Sequence, residues 1–145
     1  MADVSDHPPF DVEVVTPDGP VFQGEARMLI VPGAAGEIGV LARHAPLVAT
    51  LKAGSTRVHL GGSEILEFAT GPGFFKVELD RALALVDDAV NVKEIDDGRA
   101  QSQLEAARAE LEKVEAGEST ADRWQLEQRI RHAENQLAVS GRTTG

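Results

Sequence analysis

A glycine-rich stretch contains the polar residues best placed to contact another molecule. It runs from Gly33 to Leu47 and includes Glu37, Arg43 and His44. Glycine at this density permits left-handed backbone and weakens the interior of a strand. The pattern therefore predicts a shaped loop, and not a core strand, that presents a carboxylate and an imidazole to a partner. Because exposed polar residues are common on any surface, composition alone favours a simply solvated loop.

Two pairs of adjacent carboxylates offer the residue types needed for general acid–base chemistry. Asp87-Asp88 is more typical of a solvated turn, and Asp96-Asp97 of the first turn of a helix, where the helix dipole favours negative charge. No Ser-His-Asp pattern or nucleophile elbow accompanies them. The four histidines lack metal-ligand spacing. We predict no catalytic residues and no metal site, with a carboxylate hydrolase as the enzymatic alternative.

The composition excludes several classes of partner. The chain has 14 lysine and arginine residues against 24 aspartate and glutamate residues, a net charge of −10. A surface of this charge favours neither nucleic acid nor an anionic membrane. Without cysteine, disulfides and thiolate metal sites are impossible. The sequence shows no signal or transit peptide and no membrane-spanning run, so we expect a soluble, bacterial or plastid-encoded chain that reaches a membrane only through its partners.

The first part of the chain alternates apolar and polar residues, as strands do, with turn residues between the runs. Thr16–Pro20, Gly61-Gly62-Ser63 and Gly71-Pro72-Gly73 have turn chemistry. Many short strands at this spacing predict an all-β sandwich or flattened barrel over residues 10–92. Residues 1–9 are predicted to be disordered or extended.

The second part has helical periodicity. Residues 93–140 are predicted to form an antiparallel helical hairpin and residues 141–145 a tail, which makes the fold class α+β. Gly117 should end the first helix, and Ser119-x-x-Asp122 resembles the start of the second. The predicted seam consists of Leu104, Ala107, Leu111 and Val114 on one helix and Leu126, Ile130, Ala133 and Leu137 on the other. Because this seam is narrow and contains alanine, we expect a hairpin of low intrinsic stability that can move.

An ordered set of short motifs resembles the ε subunit of the F-type ATP synthase over roughly residues 10–139. Each motif is weak by itself, but their order is specific. The landmarks are Thr16-Pro-x-Gly19, Val21-Phe22-x-Gly24-Glu25-Ala26, Val31-Pro32-Gly33, Gly36-Glu37-Ile38-Gly39-Val40-Leu41, His44-Ala45-Pro46-Leu47, Phe74-x-x-Val77 and Ile95-Asp96-x-x-Arg99-Ala100.

The resemblance implies a non-catalytic subunit of the central rotor stalk. In that family the sandwich binds the γ subunit and the membrane ring of c subunits. The hairpin folds on the sandwich or extends along γ towards the α/β catalytic head, where it blocks ATP hydrolysis. Glu37 and His44 match the family residues that face the c ring. The implied location is the cytoplasmic side of a bacterial cell membrane, as a peripheral part of the complex. The alternative is a free-standing β-sandwich adaptor that docks a partner through its hairpin.

The resemblance also points to a nucleotide site on the folded hairpin. Some family members bind ATP there through the motif that stands here as Ile95, Asp96, Arg99 and Ala100, together with two arginines of the second helix. Aligned on Ala133-x-Asn135-x-Leu137, those two positions hold His132 and Gln136, and Arg129 and Arg131 are out of register. We therefore expect no cofactor and at most weak ATP binding.

Overall fold

The computed structural model describes residues 6–144, with side chains through residue 141. The chain divides after Asn91 into a β unit and a helical unit. The predicted α+β fold class, a sandwich followed by a helical hairpin, is confirmed. The strands are β1 Phe10–Thr16, β2 Gly19–Ala26, β3 Met28–Gly33, β4 Gly36–Val40, β5 Leu47–Leu51, β6 Gly54–Gly61, β7 Glu64–Thr70, β8 Gly73–Glu78, β9 Arg81–Val86 and β10 Ala89–Asn91.

The ten strands form one sheet that folds over into two five-stranded layers. One layer has the order β4-β3-β6-β7-β10 and the other β5-β8-β9-β1-β2. A single residue pair, Gly33 with Leu51, joins the layers through β3 and β5. The neighbouring strands are antiparallel apart from β1 and β9, which run parallel.

Alternation along the strands supplies the core between the layers. On β1, for example, Phe10, Val12 and Val14 are buried, whereas the residues between them are not. Because successive strand residues point to opposite faces, each layer presents one apolar face inward and a second face outward. The largest fully buried side chain is Phe75 of β8.

The prediction of a loop at the glycine-rich stretch is partly wrong. Gly36–Val40 forms strand β4, which pairs with β3 from Leu29 to Gly33 and leaves the connection 41–46 as the loop. An edge strand pairs on one side only, and most of β4 is exposed. Glycine is therefore tolerated there, because little side-chain packing is lost.

The turn predictions within the sandwich are confirmed. Gly62 and Ser63 connect β6 to β7, and the Gly71-Pro72 segment separates β7 from β8. At Gly73 the requirement for glycine is steric, because a Cβ atom there would lie 1.8 Å from the carbonyl oxygen of Leu85 on β9.

Residues 1–5 of the predicted N-terminal segment lie outside the described residues. Asp6–Pro9 precede β1 without forming a helix or strand. The guanidinium of Arg27 donates a hydrogen bond to the carbonyl oxygen of His7 at 2.7 Å, which ties this segment to the sandwich.

The second unit begins with a 3-10 turn, Val92–Glu94, followed by α1, Asp97–Glu115, and α2, Arg123–Thr144. Asp96 is the N-cap of α1, and its carboxylate accepts from the backbone N–H of Arg99 at 3.0 Å. Gly117, at φ 76°, ends α1 as predicted. The N–H of Glu118 donates to the carbonyl of Lys113 and the N–H of Gly117 to that of Val114, the paired bonds of a Schellman motif.

Two details of the second helix differ from the predictions. Its cap is Asp122, whose carboxylate accepts from the N–H of Trp124 at 2.9 Å, whereas Ser119 bonds within the connector and to Glu110. The predicted tail 141–145 is helical through Thr144. Gly141 lowers helix propensity by about 1 kcal/mol. However, Val139 and Ser140 just before it are buried, which favours continuation of the helix.

The predicted seam lies between α1 and α2, which pack against each other. Leu104, Ala107, Leu126 and Ala133 are buried, and the other four predicted seam residues are half-buried. Ion pairs between Arg108 and Glu134 and between Arg123 and Glu115 also join the two helices.

Candidate partner-binding surfaces

Glu37 lies near the start of β4 and is held by an arginine two strands away. The Nη2 atom of Arg57 on β6 is 3.0 Å from Oε2 and 3.2 Å from Oε1 of Glu37. Ile30 of β3 pairs with both Gly39 and Arg57, so Arg57 and Glu37 share the outward face and meet diagonally across β3. Both side chains are partly solvated. Such a pair contributes about 0–1 kcal/mol to folding, so its main effect is to orient the carboxylate.

His59 lies two residues from Arg57 on the same face of β6. Its Nε2 atom is buried and has no hydrogen-bond partner among the residues that the structure describes. Burial lowers the pKa of His59 below its ordinary value, and the nearby Arg57 cation lowers it further. The imidazole is therefore held in its neutral form beside the Glu37–Arg57 pair.

His44 lies in the 41–46 connection and is half-buried. Its Nδ1 atom is 2.6 Å from the carbonyl oxygen of Ala45, and its backbone N–H donates to Leu41 at 3.2 Å. No hydrogen bond or ion pair joins His44 to Glu37 within residues 6–144, and Glu37 is paired with Arg57 instead. Their assignment to one contact face stays a prediction.

The two-residue turn between β8 and β9 is fixed to this connection. The backbone N–H of Arg43 donates to Oδ1 of Asp80 at 2.5 Å, and the carbonyl oxygen of Asp80 accepts from the N–H of Asp11 at 3.0 Å. Arg43, Leu79 and Asp80 all have positive φ, at 65°, 52° and 57°. For leucine this backbone region costs roughly 1–2 kcal/mol. Leu79 is nevertheless 87% exposed, so it recovers little of that cost by packing.

An apolar patch covers the outward face of the second layer. Phe74 of β8 pairs with Leu85 of β9, which pairs in turn with Val15 of β1, while Val48 and Leu83 flank them in the adjacent row. Val48 is 73% exposed, Phe74 63% and Leu85 47%. We call these five residues the outer apolar patch. Exposed apolar side chains gathered on one face are typical of protein interfaces, so this patch is a candidate partner-binding surface.

The motif residues proposed for nucleotide are placed at the start of α1. Asp96 caps the helix, Ala100 is buried and Ile95 is half-buried. Arg99 is exposed. Asp96 and Ala100 therefore have structural roles that explain their presence. Arg99 is the motif residue that offers a cation.

The second-helix positions add no fixed cation to that site. His132 and Gln136 are half-buried on α2, whereas Arg129 and Arg131 are exposed. Arg131 donates to the backbone carbonyl of Glu127, although at a long 3.4 Å. Weak ATP binding therefore stays a prediction, whose reason is that arginine provides a fixed fork of donors that histidine and glutamine lack.

Comparison with known proteins identifies the family. Residues 9–92 match the family described as the ATP synthase delta/epsilon chain, beta-sandwich domain. The ATP synthase epsilon chain of Halalkalibacterium halodurans is 38% identical over 135 residues, which cover 93% of this chain and 99% of that relative.

The chain belongs to the ATP synthase epsilon chain family. This confirms the resemblance on which the sequence analysis relied. Membership makes it a stalk subunit of the F-type ATP synthase and not the catalytic subunit.

Another epsilon chain is similar in sequence, and two solved structures share the fold. The sodium-ion-specific epsilon chain of Propionigenium modestum is 37% identical over 112 residues, covering 77% of this chain and 81% of that relative. A chain from the Euglena gracilis mitochondrial ATP synthase, solved with OSCP, F1 and c-ring, shares the fold with a TM-score of 0.63 at 23% identity, covering 94% of this chain and 80% of that chain. A chain from the Tetrahymena thermophila central stalk and c-ring does so with a TM-score of 0.54 at 12% identity, covering 93% and 96%.

Arg57 and Asp80 hydrogen-bond to predicted contact segments, and neither role was predicted from the sequence. Arg57 on β6 bonds to Glu37, 20 residues away, and Asp80 in the β8–β9 turn bonds to Arg43, 37 residues away. In the sequence, the only indication that Arg57 pairs with Glu37 is their opposite charge, and opposite charges are too common to identify a pair. Within residues 6–144, no helix combines the length and apolarity needed to cross a membrane.

Proposed function

We propose that this epsilon chain joins the γ subunit to the c ring in the rotor and restrains ATP hydrolysis through its helical hairpin. The observation that carries the proposal is the outer apolar patch in a chain whose family is established. A stalk subunit with such a face needs a partner that covers it.

The composition of the patch supports a stable protein partner, which we propose to be the γ subunit. Phe74 pairs with Leu85 on one side and with the polar Thr50 on the other, and Lys76 lies between Val48 and Leu83 in the adjacent row. An apolar centre with a polar rim is typical of a stable protein interface, and aromatic side chains often contribute most of the binding energy. The rigid sandwich beneath, with Phe75 and Val77 in the core, holds the patch in place.

The second proposed contact of the sandwich, with the c ring, is made by Glu37 and His44. The Arg57 ion pair orients Glu37, and the turn around Leu41 holds His44. Residues presented on a rigid scaffold are suited to recognition. This proposal places the chain on the cytoplasmic side of a bacterial cell membrane, attached to it only through the complex.

The hairpin suits a regulatory role because its seam is small. Alanine provides several of the buried positions, among them Ala100, Ala107 and Ala133. A hairpin that buries little apolar surface can exchange between two docked states that differ by a few kcal/mol. In the extended state its partners are γ and the α/β head. No cofactor is needed for this mechanism.

The patch is tested by binding of the full chain to purified γ subunit. Phe74→Ser should weaken binding about tenfold or more, since it removes the central aromatic side chain. Ile65→Ser changes a half-buried apolar residue on β7, in the other layer, and serves as the matched control. Equal affinity of Phe74→Ser and the unaltered chain would assign γ to another face.

A further inference from the structure

The described non-glycine residues with left-handed backbone all lie at one place on the sandwich. Arg43, Leu79 and Asp80 are its three non-glycine residues with positive φ, and the Asp80 carboxylate joins the two segments that hold them. Strain of this kind persists where the surrounding structure enforces it, and it concentrates at sites of function.

Leu79 is the unexpected residue of this cluster. A two-residue hairpin turn with both residues at positive φ favours asparagine, aspartate or glycine, and Asp80 satisfies that preference. Leucine does not, and with 87% of its surface exposed it gains nothing from the core. Folding alone would select a different residue at this position.

The turn is presented rigidly. Asp80 accepts from Arg43 through its carboxylate and from Asp11 through its carbonyl, so the tip is fixed to both the 41–46 connection and β1. The Arg43 side chain is exposed, and no described residue pairs with its guanidinium. An apolar tip therefore lies on the same fixed assembly as an available cation and the imidazole of His44.

We propose that Leu79 and Arg43 extend the His44 contact into one surface that binds a loop of the c ring. The partner loop offers an apolar socket for Leu79 and a carboxylate for Arg43. This inference rests on the proposed c-ring contact of His44, with which the surface is continuous through the Arg43–Asp80 hydrogen bond. A charge-assisted contact beside a buried apolar anchor gives both orientation and affinity.

The test uses Leu79→Asn, which suits the turn but removes the apolar tip. We expect its melting temperature to rise, because asparagine tolerates positive φ. We also expect F1 that contains it to bind membranes with c rings but stripped of F1 about tenfold more weakly. Leu79→Met keeps an apolar tip and should retain binding, and Arg43→Gln should weaken it.

The outcomes separate this inference from the proposed function. Undiminished binding of Leu79→Asn, or a lower melting temperature, would overturn the role of Leu79. If His44→Ala weakens binding while Leu79→Asn does not, the c-ring contact stands and the extension fails. If neither variant matters, both fail. Affinity of Leu79→Asn for isolated γ should stay unchanged, because the turn lies outside the outer apolar patch.

Discussion

Arg57 Nη2 lies 3.0 Å from Glu37 Oε2, so the carboxylate that the sequence singled out is already engaged within its own sheet. A partner that recruits Glu37 must share it with Arg57 or displace it. The contact is therefore an exchange of ion pairs, and we expect it to be modest in energy and sensitive to salt.

Replacing both Glu37 and His44 by alanine should weaken assembly of the rotor without abolishing it. Each contact is worth about 1 kcal/mol, and neither side chain belongs to the core. Binding of variant-containing F1 to stripped membranes measures the loss. Glu64→Ala, which removes an exposed carboxylate from β7 instead, is the matched control. Full assembly and proton pumping by the double variant would show that this face is not the contact.

Acidification should destabilise the protein partly through His59. Burial, and then Arg57, lower its pKa in the folded state, so the unfolded chain binds this proton more readily. The contribution of neutral His59 is complete above the unfolded pKa of about 6.5 and declines as pH falls from there towards the folded pKa. Thermal unfolding at pH 7.5 and 5.5 should show a smaller loss for His59→Gln than for the unaltered chain. An equal loss in both would place the acid sensitivity elsewhere.

Removing residues 93–145 should raise ATP hydrolysis by the assembled enzyme and spare synthesis. The sandwich has its own core, including Phe75, Leu29 and Val58, so the truncated chain should fold and stay rich in β-structure by circular dichroism. Binding of this chain to γ is the control that it still assembles. Unchanged hydrolysis in an assembled, truncated enzyme would make the hairpin a structural element only.

Binding of ATP should be weak or undetectable. Arg99 is present, but His132 and Gln136 replace two family arginines, and Asp96 is committed to capping α1. Each lost charge-assisted contact costs roughly 1.5–3 kcal/mol, so losing two moves a micromolar site into the millimolar range or beyond. Calorimetry with ATP and Mg²⁺ decides this, and His132→Arg with Gln136→Arg should restore measurable affinity. Micromolar binding by the unaltered chain would contradict the alignment.

Local chemistry made much of the architecture predictable. Gly117 ends α1 because a left-handed residue is needed for the Schellman bonds, and Gly62-Ser63 turns β6 into β7. Apolar residues recur about every two residues in the sandwich and about every 3.6 residues in the hairpin, which distinguished the two units. The ordered motifs gave the family, and the comparisons confirmed it.

Other local features were misjudged because neighbouring structure decides them. The glycine-rich β4 is a strand because it pairs with the edge of β3. The sequence of β4 alone does not show that this partner is available. Asp122 and Ser119 are both good caps, and in the structure Asp122 caps α2 whereas Ser119 donates to Glu110 of α1. Gly141 does not end α2, because buried neighbours favour continuation of the helix.

By itself, the sequence determined the strand and helix periods, the stop signals and the family, because these depend on residues close together in the chain. Only the tertiary structure decided that Arg57 holds Glu37, that Asp80 holds Arg43 and that Phe74, Leu85 and Val48 share one exposed face. Those relationships join residues from different strands. Strand order and register set them, and strand register is fixed by burial across the whole sheet and not by any single segment.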